Sequence, residues 1–191
     1  MGGIVVGVSG HRFLTEPAGV IAGIEIALDR IEKVFGRPLI ALSALAEGAD
    51  RLVVDRLLRR PNSGLEVVMP LPERDYVRDF GSGASKREFV TLLNRAAKVV
   101  NLGPQPTRKE AYEAAGDYVI HNSGALIVLW DGQLEQGKGG TGQMVSLGRA
   151  LKLPIAWVHA GNRKPGTRQP TTLGAEQGIV TFENFLSEIA T

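Results

Sequence analysis

The sequence predicts an α/β fold: a single domain over residues 1–191, with one mainly parallel sheet of about seven strands covered by helices on both faces, in three layers. Three observations predict it. Short apolar runs recur along the chain, and most are continuous rather than alternating, as expected of strands buried on both faces. Stretches with apolar residues three and four apart separate these runs. The alternation persists through the whole chain, which points to crossover helices joining parallel strands.

Each element follows from its own residues. Ile4–Val8 is the first predicted strand. In the helix after it, Ile21, Ile24, Leu28, Ile31 and Phe35 form one apolar stripe. Leu39–Leu42 is the second strand, and Ala49, Val53 and Leu57 mark the next helix. Val67–Met69 is the third strand. Pro72–Ser85 reads as a mobile segment, whose Tyr76 and Phe80 either stack on a ligand or anchor the segment to the body. A cap at Ser85 opens a helix carrying Phe89, Leu92 and Ala96. Val99–Leu102 is the fourth strand, and a helix ending near His121 precedes the fifth, Ala125–Trp130, the longest uninterrupted apolar run. Ile155–Val158 is the sixth strand and Ile179–Thr181 a weaker seventh. Asn162–Thr172, rich in Pro, Gly and Arg, is expected to be a flexible loop. A final helix is expected to pack Phe182, Phe185, Leu186 and Ile189 back onto the body. Trp130 and Trp157 read as core, and His159 as a core or loop residue within reach of a site.

Composition narrows the function. With no cysteine, disulfide scaffolds, thiolate nucleophiles and Cys-based zinc sites are excluded. His11, His121 and His159 have no metal-ligand spacing, so no metal site is expected. No apolar run is long enough to span a membrane, no basic region precedes an apolar stretch at the start, and Val6 breaks a myristoylation signal. The expected location is cytoplasmic. A net charge of +2 and a longest basic run of Arg59-Arg60 argue against a nucleic-acid tract. Glycine is the anomaly, at 24 of 191 residues, and its placement is informative.

In open parallel sheets, ligands bind beyond the carboxyl ends of the strands. Three loops there share small residues. The first is Gly7-Val8-Ser9-Gly10-His11-Arg12, in which the glycines permit sharp turning and His11 and Arg12 add charge. The second runs from Ser43 through Glu47, Gly48, Ala49 and Asp50 to Arg51. The third starts at Asp131-Gly132 and continues as Gly137-Lys138-Gly139-Gly140-Thr141-Gly142-Gln143, directly before a helix whose N–H groups favour an anion. At Gly140 a side chain is expected to block close backbone approach and to disallow the required φ. One such loop is accounted for by a tight turn, but three converge on one edge as a phosphate cradle. Glu47 either accepts a ribose hydroxyl, acts as a base or complements the helix dipole. Asp50 with Arg51 is either a structural pair or part of the site.

The ordered set Val8–Arg12, Ser43–Leu52 and Leu129–Gly132 followed by Gly139–Gly142 resembles the SLOG superfamily, with Val68–Leu71, Asp75, Tyr76, Asp79, Phe80, Arg108 and Tyr112 similar to its YpsA-like and uncharacterised bacterial members. The superfamily groups Smf/DprA proteins, LONELY GUY phosphoribohydrolases and nucleotide-sensing domains. The resemblance covers about residues 4–160 and implies a Rossmann-like sheet that binds a phosphorylated nucleotide or ADP-ribose-type ligand, with no further cofactor, in a homodimer. Ser9, Gly10 and Gly139–Gly142 would hold phosphate, Glu47 and Asp131 would contact ribose or water, and Arg12 and Arg108 would supply charge. In the phosphoribohydrolases a catalytic Glu follows the Gly-Thr of the third loop; Met144 stands there in this chain. Their catalytic Arg lies on the preceding helix, where Arg108 is the nearest candidate. Glu47 and Arg108 are therefore the catalytic candidates of the alternative reading, an N-glycosidic nucleotide hydrolase. Single-stranded DNA binding, as in Smf/DprA, is disfavoured by the small net charge and the lack of an aromatic-basic groove.

Overall fold

The computed structural model describes residues 3–133, 140–171 and 176–185. Seven strands form one sheet in the order β4-β3-β2-β1-β5-β6-β7. They are β1 (Ile4–Gly10), β2 (Leu39–Ser43), β3 (Gly64–Met69), β4 (Lys98–Asn101), β5 (Ala125–Trp130), β6 (Ile155–His159) and β7 (Val180–Glu183). β1 to β6 pair in parallel, and β7 adds to β6 antiparallel. The six described helices are α1 (Pro17–Phe35), α2 (Ala49–Leu57), α3 (Glu73–Tyr76), α4 (Gly83–Leu93), α5 (Arg108–His121) and α6 (Thr141–Ala150). The expected α/β class, sheet and Rossmann-like layering are observed.

Helices α1, α2 and α4 cover one face through Ile24, Leu28, Ile31, Val53, Leu57 and Phe89, all buried with Val6, Leu39 and Ile127 of the strands. Helices α5 and α6 cover the other through Val119, Ile120 and Val145. Apolar runs on both faces explain why the central strands do not alternate. Gly7 belongs to this packing: a Cβ there would lie 2.4 Å from Ser123 Oγ and 2.9 Å from Val119 Cγ1. It is what lets α5 close on β1.

Several expectations are corrected. The α4 cap is Ser82, whose Oγ accepts the Ser85 N–H, and Ala96 lies beyond the helix. The α1 stripe is completed by Val20 and Ala27, while Phe35 is half-exposed against Phe185. The segment after β3 carries α3 and a 3₁₀ turn, Val77–Asp79, and its Tyr76 and Phe80 are buried against Phe89. They anchor the segment to the body, and both also line the cavity described below. The stretch after β6 is tied down by bridges Leu14↔Asn162 and Arg163↔Pro170. Leu186 and Ile189 lie outside the described residues. Trp130 is core and Trp157 partly buried beside it, while His159 stacks on Trp157 and meets Thr181 Oγ1 and Glu176 on the β6–β7 side. Among the described residues, no helix is long and apolar enough to cross a membrane.

Candidate functional site

The chain leaves β1 toward β2 on one side, and β5 pairs with β1 on the other. Connections diverge at that point, so the carboxyl ends of β1 and β5 leave a crevice. The β1 end is held rigidly there. His11 N–H donates to Leu129 O of β5, and Ala49 N–H of α2 donates to His11 O, each at 3.0 Å. Gly10 permits the fit: a Cβ would lie 2.5 Å from both Leu129 O and Ala49 Cβ.

A cavity of about 630 Å³ opens over this crevice, between the strand ends, α5 and the start of α6. Its inner wall is apolar, built from Val8, Ala44, Ala115, Val119, Met144 and Leu147. Gly116 widens it, since a Cβ there would touch Met144 Sδ at 3.4 Å. Its polar end carries Ser9, His11, Arg12, Asn162, Gln143 and the N-terminus of α6 at Gly140-Thr141. Ser9, His11 and Thr141 are only 9%, 6% and 7% exposed. His11 Nε2 accepts the Asp131 N–H at 3.2 Å. Among the described residues, Ser9 Oγ, Thr141 Oγ1 and His11 Nδ1 have no hydrogen-bond partner. Buried polar groups are nearly always paired. Three open ones on one cavity wall, beside a helix N-terminus, are what an anionic, oxygen-rich ligand requires.

A clamp closes the outer rim. Asp79 accepts from Arg108 Nη2 at 2.7 Å and from the Tyr112 hydroxyl, and its carbonyl accepts from Arg12 Nη2 at 3.0 Å. The segment after β3 is thereby fastened to α5 and to the β1 loop. Asp79→Ala removes two charge-assisted bonds at a half-exposed rim, a loss of about 1–2 kcal/mol. Amide hydrogen exchange across Glu73–Asp79 is expected to speed up by about tenfold or more, with the β-strands unchanged. Equal exchange in both proteins would show that the clamp does not hold the segment.

Of the expected site residues, Ser9, Gly10, His11, Arg12, Asp50, Gly140, Thr141, Gln143 and Arg108 line the cavity. Gly7, Ser43, Ala49, Asp131, Gly132 and Gly142 are not among its lining residues, and Gly48 lines a second cleft. Gly139, with Gly137 and Lys138, lies outside the described residues. Gly140 has φ −139°, ordinary extended backbone, so the left-handed requirement expected of it does not hold.

Glu47 is placed elsewhere. Its carboxylate accepts from Gly81 N–H at 3.0 Å, Arg12 Nη2 at 2.8 Å and the Ser85 hydroxyl. It lines a second cleft, with Ser82, Ser85 and Arg163, on the other side of Arg12. Burial works against its charge, but the bonds from Ser85, Gly81 and Arg12 prevail and hold its carboxyl below the ordinary value. Asp50 is fully buried, and burial raises its carboxyl to about 6 against hydrogen bonds from Ser43 and Ala46. Arg51 is structural: Nε donates to Leu45 O, Nη1 to Ser85 and Glu88, and the guanidinium lies 4.3 Å over Phe80.

Of the cavity face of α5, the sequence reading singles out only Arg108 and Tyr112. Tyr112, Glu113, Ala115, Gly116 and Val119 contribute a whole wall. The signal is Arg108, Tyr112, Ala115 and Val119 at four- and three-residue spacing, one face of a helix that also buries Ala111 and Ile120.

No family model matches the chain, and no curated protein matches its sequence. Among solved structures, the fold is similar to DNA processing protein A from Helicobacter pylori, reported for its single-stranded DNA binding mode. The TM-score is 0.53 at 14% identity, covering 87% of this chain and 68% of the other. At this identity the likeness is one of fold.

Proposed function

We propose that the chain is a SLOG-type module that binds a phosphorylated nucleotide or ADP-ribose-type ligand at the β1–β5 crevice. The observation that carries this reading is the set of open, nearly buried polar groups of Ser9, His11 and Thr141 beside the α6 N-terminus. The phosphate would lie against them and Arg12, and the base would enter the apolar slot between α5 and α6. That slot offers Met144 where the hydrolases of the superfamily carry their carboxylate, and Glu47 is committed to Arg12, Gly81 and Ser85. Binding or sensing is therefore favoured over N-glycosidic hydrolysis, for which a carboxylate near the ribose is needed. No cofactor beyond the nucleotide is needed for this role, and a cytoplasmic homodimer is part of the proposal.

The expected disfavour toward nucleic acid is revised. The fold neighbour's single-stranded DNA weighs against it, and an oligonucleotide end offers the same phosphate and base chemistry. Calorimetry with AMP, adenosine and a short oligo-dT separates the cases. AMP is expected to bind, adenosine to bind at least about tenfold more weakly, and Thr141→Val to weaken AMP by about tenfold through loss of a hydroxyl at the phosphate. Equal affinity for adenosine and AMP would rule out phosphate as the group read. Oligo-dT binding stronger than AMP would make single-stranded DNA the ligand. Release of free base on long incubation with AMP would make the protein a hydrolase.

A further inference from the structure

His11 sits between two different partners on the same ring nitrogen. Nε2 lies 3.2 Å from the Asp131 backbone N–H and also 3.2 Å from Asp131 Oδ1. Imidazole and carboxylate are both almost wholly buried, at 6% and 7% exposure. Nε2 satisfies these neighbours in two ways. As an acceptor it takes the Asp131 N–H, the ring is neutral, and Nδ1 carries the proton. As a donor, its N–H points to Asp131 Oδ1, which accepts. Nδ1, the other nitrogen, has no partner among the described residues, and His11 lines the cavity.

We propose that His11 couples ligand binding to proton uptake and thereby reads the ligand's charge. An anion placed at Nδ1 favours the doubly protonated ring, which donates to the ligand through Nδ1 and to Asp131 Oδ1 through Nε2. A neutral ligand group offers no such gain, so the ring stays singly protonated. The inference rests on the reading of the cavity as a phosphate-binding site. Other charges face the same cavity. Arg12 follows His11 but is tied to Glu47 and to Asp79 O; Asp50 reaches in from α2; Arg108, Lys109, Glu113 and Asp117 come from α5, and Asp79 from the 3₁₀ turn. Asp50 also changes charge near neutrality, so the readout has to be the His11 ring itself.

The test is ¹⁵N NMR of the His11 ring in the full chain, titrated over about pH 5.5 to about pH 8.5, alone, with saturating AMP and with adenosine. Without ligand, the high-pH form is expected to carry its proton on Nδ1. With AMP, the ring midpoint is expected to rise by about one pH unit or more, equivalent to about tenfold tighter binding of AMP by the doubly protonated form. Adenosine is expected to leave it unmoved. In Asp131→Asn, the rise with AMP is expected to shrink, because Nε2–H loses its carboxylate. AMP binding with an unmoved or lowered midpoint overturns the coupling and leaves the nucleotide reading standing. An equal rise with adenosine overturns charge reading. Failure of AMP to bind at all removes both. The wild-type titration decides the matter even if Asp131→Asn does not fold.

Discussion

Gly48→Ala is expected to destabilise the protein by about 3–5 kcal/mol, the largest loss anticipated from adding a single methyl. Gly48 has φ +81° and ψ −117°, a region in which side chains are strained. A Cβ there would lie 2.3 Å from Arg12 O and 2.6 Å from His11 O. Both obstacles are backbone, and His11 O is itself bonded to Ala49 N–H, so neither yields cheaply. Backbone strain of about 1–3 kcal/mol adds to about 1–3 kcal/mol of overpacking. At about 2–4 °C per kcal/mol for a chain of this size, Tm should fall by about 10 °C. Gly36→Ala is the matched control. It has φ +80° with nothing within 4 Å of the added Cβ, so it carries the strain without the collision. Its expected cost is about 1 kcal/mol. Thermal unfolding followed by circular dichroism measures both. Equal shifts for the two variants would show that the close approach of Gly48 to the β1 loop has no energetic weight.

The second large effect is a pH dependence removed by Asp50→Asn. The Asp50 carboxyl rises from 3.8 to about 6 on folding because burial disfavours its charge. The folded protein therefore keeps a proton that the unfolded chain has already lost. The favourable contribution is complete below the unfolded value, fades as pH rises, and is gone above about 6. There, the buried charge costs about 3 kcal/mol relative to the unfolded chain. Ser43 Oγ–H and Ala46 N–H both donate to the same oxygen, Oδ2, and an asparagine oxygen accepts the same pair. Urea unfolding of both proteins from about pH 4 to about pH 7 should show the variant gaining on the wild type by about 2 kcal/mol as pH rises. Glu47 acts with the opposite sign, its stabilisation being lost at the acid end, but it is present in both proteins and cancels. A difference that stays flat across this range would mean that Asp50 ionises as freely in the fold as outside it.

Much of the architecture was legible because its signals are local. The central strands are apolar on both faces, and a run such as Ala125–Trp130, buried along its whole length, has only one place to go in a layered fold. The first two glycine-bearing loops follow β1 and β2 at the carboxyl ends of the strands, and of the third only Asp131-Gly132 and Gly140–Gln143 lie among the described residues. The direction of β7 was not legible. Val180–Glu183 is four residues of mixed exposure, and its pairing is decided by the edge β6 offers and the turn at Gly178. Nor was Tyr76 with Phe80: whether an aromatic pair waits for a ligand or fills a gap depends on Phe89 lying beneath it.

The site divides in the same way. The sequence by itself determined that small residues follow the strands and precede the helices, a requirement of close backbone approach; the strand order decided that β1 and β5 meet at a crevice. Only the tertiary structure decided what each acid does. Glu47 and Asp50 are three residues apart, yet Glu47 turns to Arg12, Gly81 and Ser85 in a second cleft while Asp50 is buried against Ser43 and Ala46. Leu45, buried at φ +56°, and Gly48 turn the chain between β2 and α2 and send the two side chains apart. The His11–Asp131 pair spans 120 positions. Spacing along the chain carries no information about such a pair. It exists because β1 and β5 are neighbours in the sheet.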